Sequence, residues 1–385
     1  MKAHFTSGKK LFCVLTAGIL LLSACGKAEE KDAESVTSSM DPDAMEADLE
    51  YPFVAESEDG YYFWERMGEE QSYPRLMFMD KESGRVVPLC NKPDCAHDSE
   101  ECNARFPDLN FGEDGIYKDY LQYYEGSLYA VGLSSDYYVT LFRIKADGSE
   151  WEISTKLYRT EYASTGHWRT PDLLLAEDYV YFNDHMQQKM KLERMPLGGG
   201  TSEVIFEGED DAVEVQTYRL KESGGFVFFQ ALVFRGDSYE DVVGGLYRYD
   251  AAAGQCSLLK SGLIGPYTVW NGAVYYANTE GLCRYLIQEG TTEILTDQPM
   301  EVPNMTLTKD WIILCHQMEG HVLTFYDYEG NETATVPNTL GMTWYFGGNS
   351  ECLFGQCTDD LGLSLCFLDL TRPMQDWQWE ELKEN

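Results

Sequence analysis

Tyr267-Thr268-Val269-Trp270-Asn271-Gly272-Ala273-Val274-Tyr275 reads as two short strands joined by an Asn-Gly dipeptide, with Leu282-Cys283-Arg284-Tyr285 and Glu293-Ile294-Leu295 following. Asn-Gly supplies the positive φ angles that a tight hairpin requires, so the stretch predicts four consecutive antiparallel strands. A single four-stranded sheet with aromatic residues along it cannot bury both faces alone. Either it stacks on copies of itself or it does not fold.

The copies are present. A turn followed by an aromatic strand recurs at Asp59-Gly60-Tyr61-Tyr62-Phe63, Glu125-Gly126-Ser127-Leu128-Tyr129, Glu177-Asp178-Tyr179-Val180-Tyr181 and Gly224-Gly225-Phe226-Val227-Phe228. It returns in the quoted stretch, at Lys309-Asp310-Trp311-Ile312-Ile313 and at Asn349-Ser350-Glu351-Cys352-Leu353-Phe354. Each copy is followed by a strand opening on Leu, from Leu76-Met77-Phe78-Met79 to Leu365-Cys366-Phe367-Leu368. Four strands at a period of roughly 40 to 50 residues mark a propeller blade. The fold expected is all-β, a β-propeller of four-stranded antiparallel blades, seven by this count, with six or eight left open. The first interval is longer because a Cys-containing segment and Phe106 to Lys118 are inserted. Tyr51 to Glu56 is expected as the first inner strand and Asp376 to Leu382 as the last outer one, so the ring should close by packing, without strand exchange.

Outward from the repeats, the N-terminus carries an address. Met1 to Lys10 contains Lys2, Lys9 and Lys10 with no acid, and Leu11 to Leu22 is an apolar run. That run suits a signal-peptide core and is too short for a bilayer span, which needs about 20 residues. Leu22-Ser23-Ala24-Cys25 resembles a bacterial lipobox. The resemblance implies diacylglycerol on the Cys25 thiol and cleavage just before it, and two acyl chains anchor stably where one is marginal. An ordinary secretory signal is the alternative. Gly26 to Glu50 holds nine acids against Lys27 and Lys31, too polar to bury a core, and is expected to be a disordered tether. The expected division is thus signal segment 1–24, tether 25–50 and propeller 51–385, lipid-anchored at the extracellular face of the membrane.

Charge narrows the partners. The formal net charge is −36, and loss of the three signal lysines makes the mature chain more acidic still. Nucleic acid and anionic lipid surfaces are polyanions and are disfavoured, whereas glycans, peptides and cell-surface proteins remain. A soluble acidic surface on a monomer accounts for the charge without any partner.

Cys90, Cys95, His97 and Cys102 form a C-x4-C-x-H-x4-C pattern around Pro93. Three thiolates and an imidazole satisfy one structural zinc ion, leaving no open position for catalysis. Outside the cell a disulfide plus one thiol is the competing reading, and reduced uncoordinated thiols a third. Cys256, Cys283, Cys315, Cys352, Cys357 and Cys366 lie in apolar strand patterns, where Cys acts as a small hydrophobe; Cys352 and Cys357 pair only if their strand bends. So many thiols in strands favours an organism without strong oxidants.

The lipobox, acidic linker, aromatic hairpin units and Cys-x4-Cys-x-His segment together resemble the propeller-type lipoproteins of gut clostridia, and repeats such as Leu141 to Gly148 are similar to their uncharacterised TolB-like propeller domains. The resemblance implies a fold and a compartment and brings no activity.

Other candidates are weaker. His167-Trp168-Arg169 combines an aromatic plane with donors suited to a sugar or peptide, or is a loop anchored by its Trp. Glu207 to Asp211 and Asp237 to Asp241 lack EF-hand spacing and read as solvated loops. His316 and His321 read as structural. No H-E-x-x-H, G-x-S-x-G, P-loop or dinucleotide fingerprint occurs. The expected function is therefore a binding or scaffolding module and not an enzyme, the alternative being a polysaccharide hydrolase or lyase with carboxylates at the central channel.

Overall fold

The computed structural model describes residues 48–49, 53–65, 75–99, 101–106, 114–160, 171–185, 187–208, 211–236, 241–263, 265–298, 300, 304–316, 320–359 and 362–383. The signal segment, Cys25 and nearly all of the tether lie outside them.

Seven antiparallel sheets follow one another along the chain, at residues 54–88, 115–159, 173–206, 212–261, 267–296, 304–336 and 342–381. Each pairs its strands in sequence order, and the sheets form a seven-bladed propeller, as the repeats predict. The quoted stretch is blade five, with Tyr267–Trp270 innermost and Thr291–Thr296 outermost. At its first turn Asn271 and Gly272 have φ of 48° and 74°, the two left-handed angles a tight Asn-Gly hairpin requires.

The aromatic strands are buried on both faces because each blade is packed between two neighbours. In blade five, Val274 and Tyr276 pack with Phe228 and Leu246 of blade four, while Ala273, Tyr275 and Ala277 pack with Leu314 and Tyr326 of blade six. Alternate residues thus serve alternate interfaces, the period-two rule applied to two cores at once. Each fully buried aromatic or large aliphatic side chain contributes about 1.5–3 kcal/mol. The outermost strands have solvent on one side, and Ile294 is exposed there.

Two turn chemistries serve the first hairpins. Blades two to five use two-residue turns at positive φ. Blades one, six and seven instead place Ser57, Thr308 and Asn349 at the strand end, and each side-chain oxygen accepts backbone N–H groups of its own turn. This substitutes side-chain bonding for left-handed backbone.

The ring closes between blades seven and one. Phe346, Cys352 and Phe354 pack with Tyr61, Phe63 and Met77. Asn349 Nδ2 donates to Glu56 Oε1 and, at 2.9 Å, to Tyr61 Oη. Lys81 reaches Glu56 from beside the Tyr61 ring. All four strands of every blade are contiguous in the chain, so closure needs no exchange of a blade strand. The expected inner strand at 51–56 is shorter, Val54–Glu56, and the last outer strand is Trp379–Glu381, preceded by a 3-10 turn at Met374–Asp376. One addition went unforeseen: Asp48–Leu49 pairs with Gly348 and Gly347, as a fifth strand on the inner edge of blade seven.

Among the described residues no helix is long and apolar enough to cross a membrane.

Candidate functional site

The four residues of the Cys/His pattern lie in the connection between blades one and two. Blade one's outermost strand is only Val86–Pro88, after which the chain leaves the sheet edge. Both ends of this excursion are tied to one residue: Leu89 N–H donates to the Leu76 carbonyl and Leu76 N–H donates to the Ala104 carbonyl, each at 2.8 Å. Arg75 and Arg105 then form an antiparallel bridge. Phe106 anchors the return, buried edge-on against Trp64 with ring centroids 5.3 Å apart.

Between these ties, 90–103 contains almost no apolar side chain, yet Cys102 is only 2% exposed. Sγ of Cys90, Cys95 and Cys102 and a ring nitrogen of His97 all lie within 4.8 Å of one another, and His97 Nδ1 is 3.3 Å from Cys102 Sγ. Asp94 and His97 adopt left-handed φ of 61° and 58°, costly for residues with a Cβ and sustained only where surroundings fix them. Burial opposes ionisation of Cys90, but backbone N–H groups of Lys92 and Asn103 donate to its sulfur and hold the thiol below its ordinary value. Burial pushes Cys102 up to about 11, although the Ala104 N–H donates to it. Lys92 Nζ closes the loop by donating to the Glu101 carbonyl, and Asn103 Nδ2 donates to Asn91 Oδ1 at 2.8 Å. A polar groove of about 340 Å³ lies beside it, between Cys102, Arg105 and residues 148–151 of blade two.

The remaining cysteines behave as hydrophobes. Cys283, Cys315, Cys352, Cys357 and Cys366 are buried, and no disulfide is present among the described residues. Cys352 faces blade one and Cys357 faces blade six, on opposite sides of one strand, which rules out their pairing. Burial pushes the Cys256 thiol up to about 11.

The propeller's two faces differ. Antiparallel strands put every first hairpin and every third-to-fourth-strand turn on one face. First hairpins there run from two residues (271–272) to four (308–311). The strand ends joined by second-to-third-strand connections and by the links between blades lie at the other face, and these connections include the longest in the chain; the described part of one link, 89–99 and 101–106, packs against the 146–150 turn of blade two. Trp344, near the start of blade seven's inner strand and hence at the long-connection face, is 48% exposed. At the same face His185 Nε2 approaches Asp172 Oδ2 at 3.5 Å, and Asn183 bonds both Asp172 and the Thr217 carbonyl, tying blade three to blade four. Sequence reading singled out neither group: nothing in Met342-Thr343-Trp344 distinguishes an exposed Trp from a core one. His167, Trp168 and Arg169 lie outside the described residues, as do Asp237 to Glu240 and Glu209 and Asp210. His316 and His321 flank one connection, with His321 N–H donating to the His316 carbonyl at 3.1 Å.

No family model matches the chain, and no curated protein matches its sequence. Solved structures do share its fold. A puromycin-hydrolysing peptidase of Mycobacterium tuberculosis is similar at 13% identity and a TM-score of 0.56, over 89% of this chain and 54% of that one. A puromycin hydrolase matches at 15% identity and 0.53, over 84% and 52%. TolB of Acinetobacter baumannii matches at 13% identity and 0.39, over 71% and 62%. The chain spans about half the length of the two peptidases, and at these identities what it shares with them is the β-propeller fold.

Proposed function

We propose that this chain is a lipoprotein, anchored through Cys25 at the extracellular face of the membrane, whose propeller binds a glycan, peptide or protein partner through its long-connection face. The observation that carries the reading is the asymmetry of the two faces. The longest connections in the chain, the links 89–114 and 160–172, join strands at one side, whereas the other side has connections of two to nine residues; loops on a fixed scaffold are where recognition is ordinarily built. Trp344 supplies an exposed aromatic plane at that side, the kind of surface on which a sugar ring or peptide side chain stacks. The acidic mature chain favours neutral or basic partners.

The test is a glycan and peptide array probed with the mature chain carrying Cys25→Ser, followed by a product assay on each hit. The reading expects retention that Trp344→Ala weakens about tenfold, a loss of about 1.4 kcal/mol, and that substitutions in the 251–254 and 287–290 turns leave unchanged. Turnover of a polysaccharide hit would replace it with the hydrolase or lyase alternative. Binding lost through the tight turns and kept in Trp344→Ala would place the site on the wrong face.

A further inference from the structure

We propose that Cys90, Cys95, His97 and Cys102 hold one zinc ion in a closed tetrahedral site that fastens the 89–106 excursion to blades one and two. The ion would take the place of the apolar core that 90–103 lacks.

The geometry comes first. Zinc binds thiolate sulfur at about 2.3 Å and imidazole nitrogen at about 2.0–2.1 Å, so tetrahedral ligand atoms stand about 3.5–3.8 Å apart. All four candidate atoms already lie within 4.8 Å of one another. A disulfide would use two of the three sulfurs and give no reason for the third sulfur and the imidazole to converge on the same point. The site as folded gathers all four.

The surroundings suit a thiolate centre. Backbone N–H groups of Lys92 and Asn103 point at Cys90 Sγ and that of Ala104 at Cys102 Sγ. Donors of this kind offset the charge that metal-bound sulfur retains and orient the ligands. Three thiolates and Zn²⁺ leave one net negative charge, and Arg105, whose Nε is buried with no hydrogen-bond partner among the described residues, lines the same groove as Cys102. Binding forms three Zn–S bonds and one Zn–N bond, and protons leave the thiols for solvent, so no oxidant or reductant is needed. Soft sulfur donors and four protein ligands select zinc over magnesium or calcium and leave no coordination site for a substrate.

The excursion also explains how one ion reaches two blades. Gly148, in the 146–150 turn of blade two, has φ of 70°, and a Cβ there would stand 2.2 Å from the Leu89 carbonyl oxygen. Asn103 Nδ2 donates to the Ser149 carbonyl. Fixing the loop therefore fixes an inter-blade contact at the outer rim.

The experiment is elemental analysis of the mature Cys25→Ser chain from zinc-replete medium, with mass spectrometry of its cysteine peptides. One zinc per chain is expected, falling about tenfold or more in Cys95→Ser and Cys102→Ser and retained in His97→Cys, which keeps four ligands. Cobalt substitution gives a readout independent of folding yield: an apo chain that binds Co²⁺ with the absorption of tetrahedral thiolate ligation supports the site. Less than about a tenth of an ion per chain, with no cobalt spectrum, overturns the proposal. A disulfide among Cys90, Cys95 and Cys102 in protein kept under the cell's own conditions overturns it as well.

Discussion

Replacing Asn349 by Ala should loosen the ring where its ends meet. Asn349 is 7% exposed. Its Nδ2 donates to Glu56 and Tyr61 across the junction, and its Oδ1 accepts from the N–H groups of Glu351 and Cys352 at 2.8 Å. Each hydrogen bond is worth about 0.5–1.5 kcal/mol net, and a buried partner left unsatisfied costs more. The two turn amides regain water more readily than the buried Tyr61 hydroxyl, whose proton is held tightly by burial and by neighbouring Cys352 and Glu56. The total expected is about 3 kcal/mol. At about 2.1 cal/mol/K per residue over about 330 folded residues, unfolding entropy is about 0.7 kcal/mol/K, so Tm should drop by about 4 °C. Calorimetry and urea titration measure the change, and a double-mutant cycle with Tyr61→Phe should give a coupling of about 1 kcal/mol. A loss under about 0.5 kcal/mol, or a coupling of zero, would refute closure through this junction.

Three further outcomes follow from the same structure. Phe354→Ala should cost about 3–5 kcal/mol, because its ring is fully buried against Tyr61 at 4.9 Å and truncation leaves a cavity at the closing interface; urea titration reads it. Gly148→Ala forces a Cβ onto the Leu89 carbonyl at an unfavourable φ. It should increase proteolytic cutting within 89–106 while near-ultraviolet circular dichroism of the blades is preserved. Alkaline stability supplies the third test: Cys256 and Tyr276 are pushed up to about 11 and about 12 by burial. A raised folded value means stability is fully present below the unfolded thiol value near 8.5 and is lost as pH rises through 11. Tm should fall between pH 9 and 11, and by less in Cys256→Ser; a flat profile would contradict the assigned burial.

The propeller was legible because its instructions are local. Asn271-Gly272 and Glu125-Gly126 specify hairpins within a few residues, and repetition multiplies a weak signal seven times. The chemistry of Cys90, Cys95, His97 and Cys102 was legible for a similar reason, since the ligands are close in sequence, although only the fold shows that they converge. Other features depend on distant partners. Ser57, Thr308 and Asn349 occupy one structural position, but three different residues doing one job leave no common pattern to find. Trp344 and Trp64 look alike in sequence; one is open to solvent and the other is buried beside Phe106, which neighbouring blades decide. Asp48–Leu49 sits in an acidic run that reads as tether, and its strand partners, Gly348 and Gly347, are about 300 residues away in the chain.

Display on a lipid is the premise on which the binding role rests. Cells grown with an alkyne-tagged fatty acid and fractionated test it, comparing the wild-type chain with Cys25→Ser. Label on wild type in the membrane fraction, with the variant unlabelled and released to the medium, is the predicted result. A wild-type chain that is cleaved yet carries no lipid, or remains in the cytoplasm, would contradict the account.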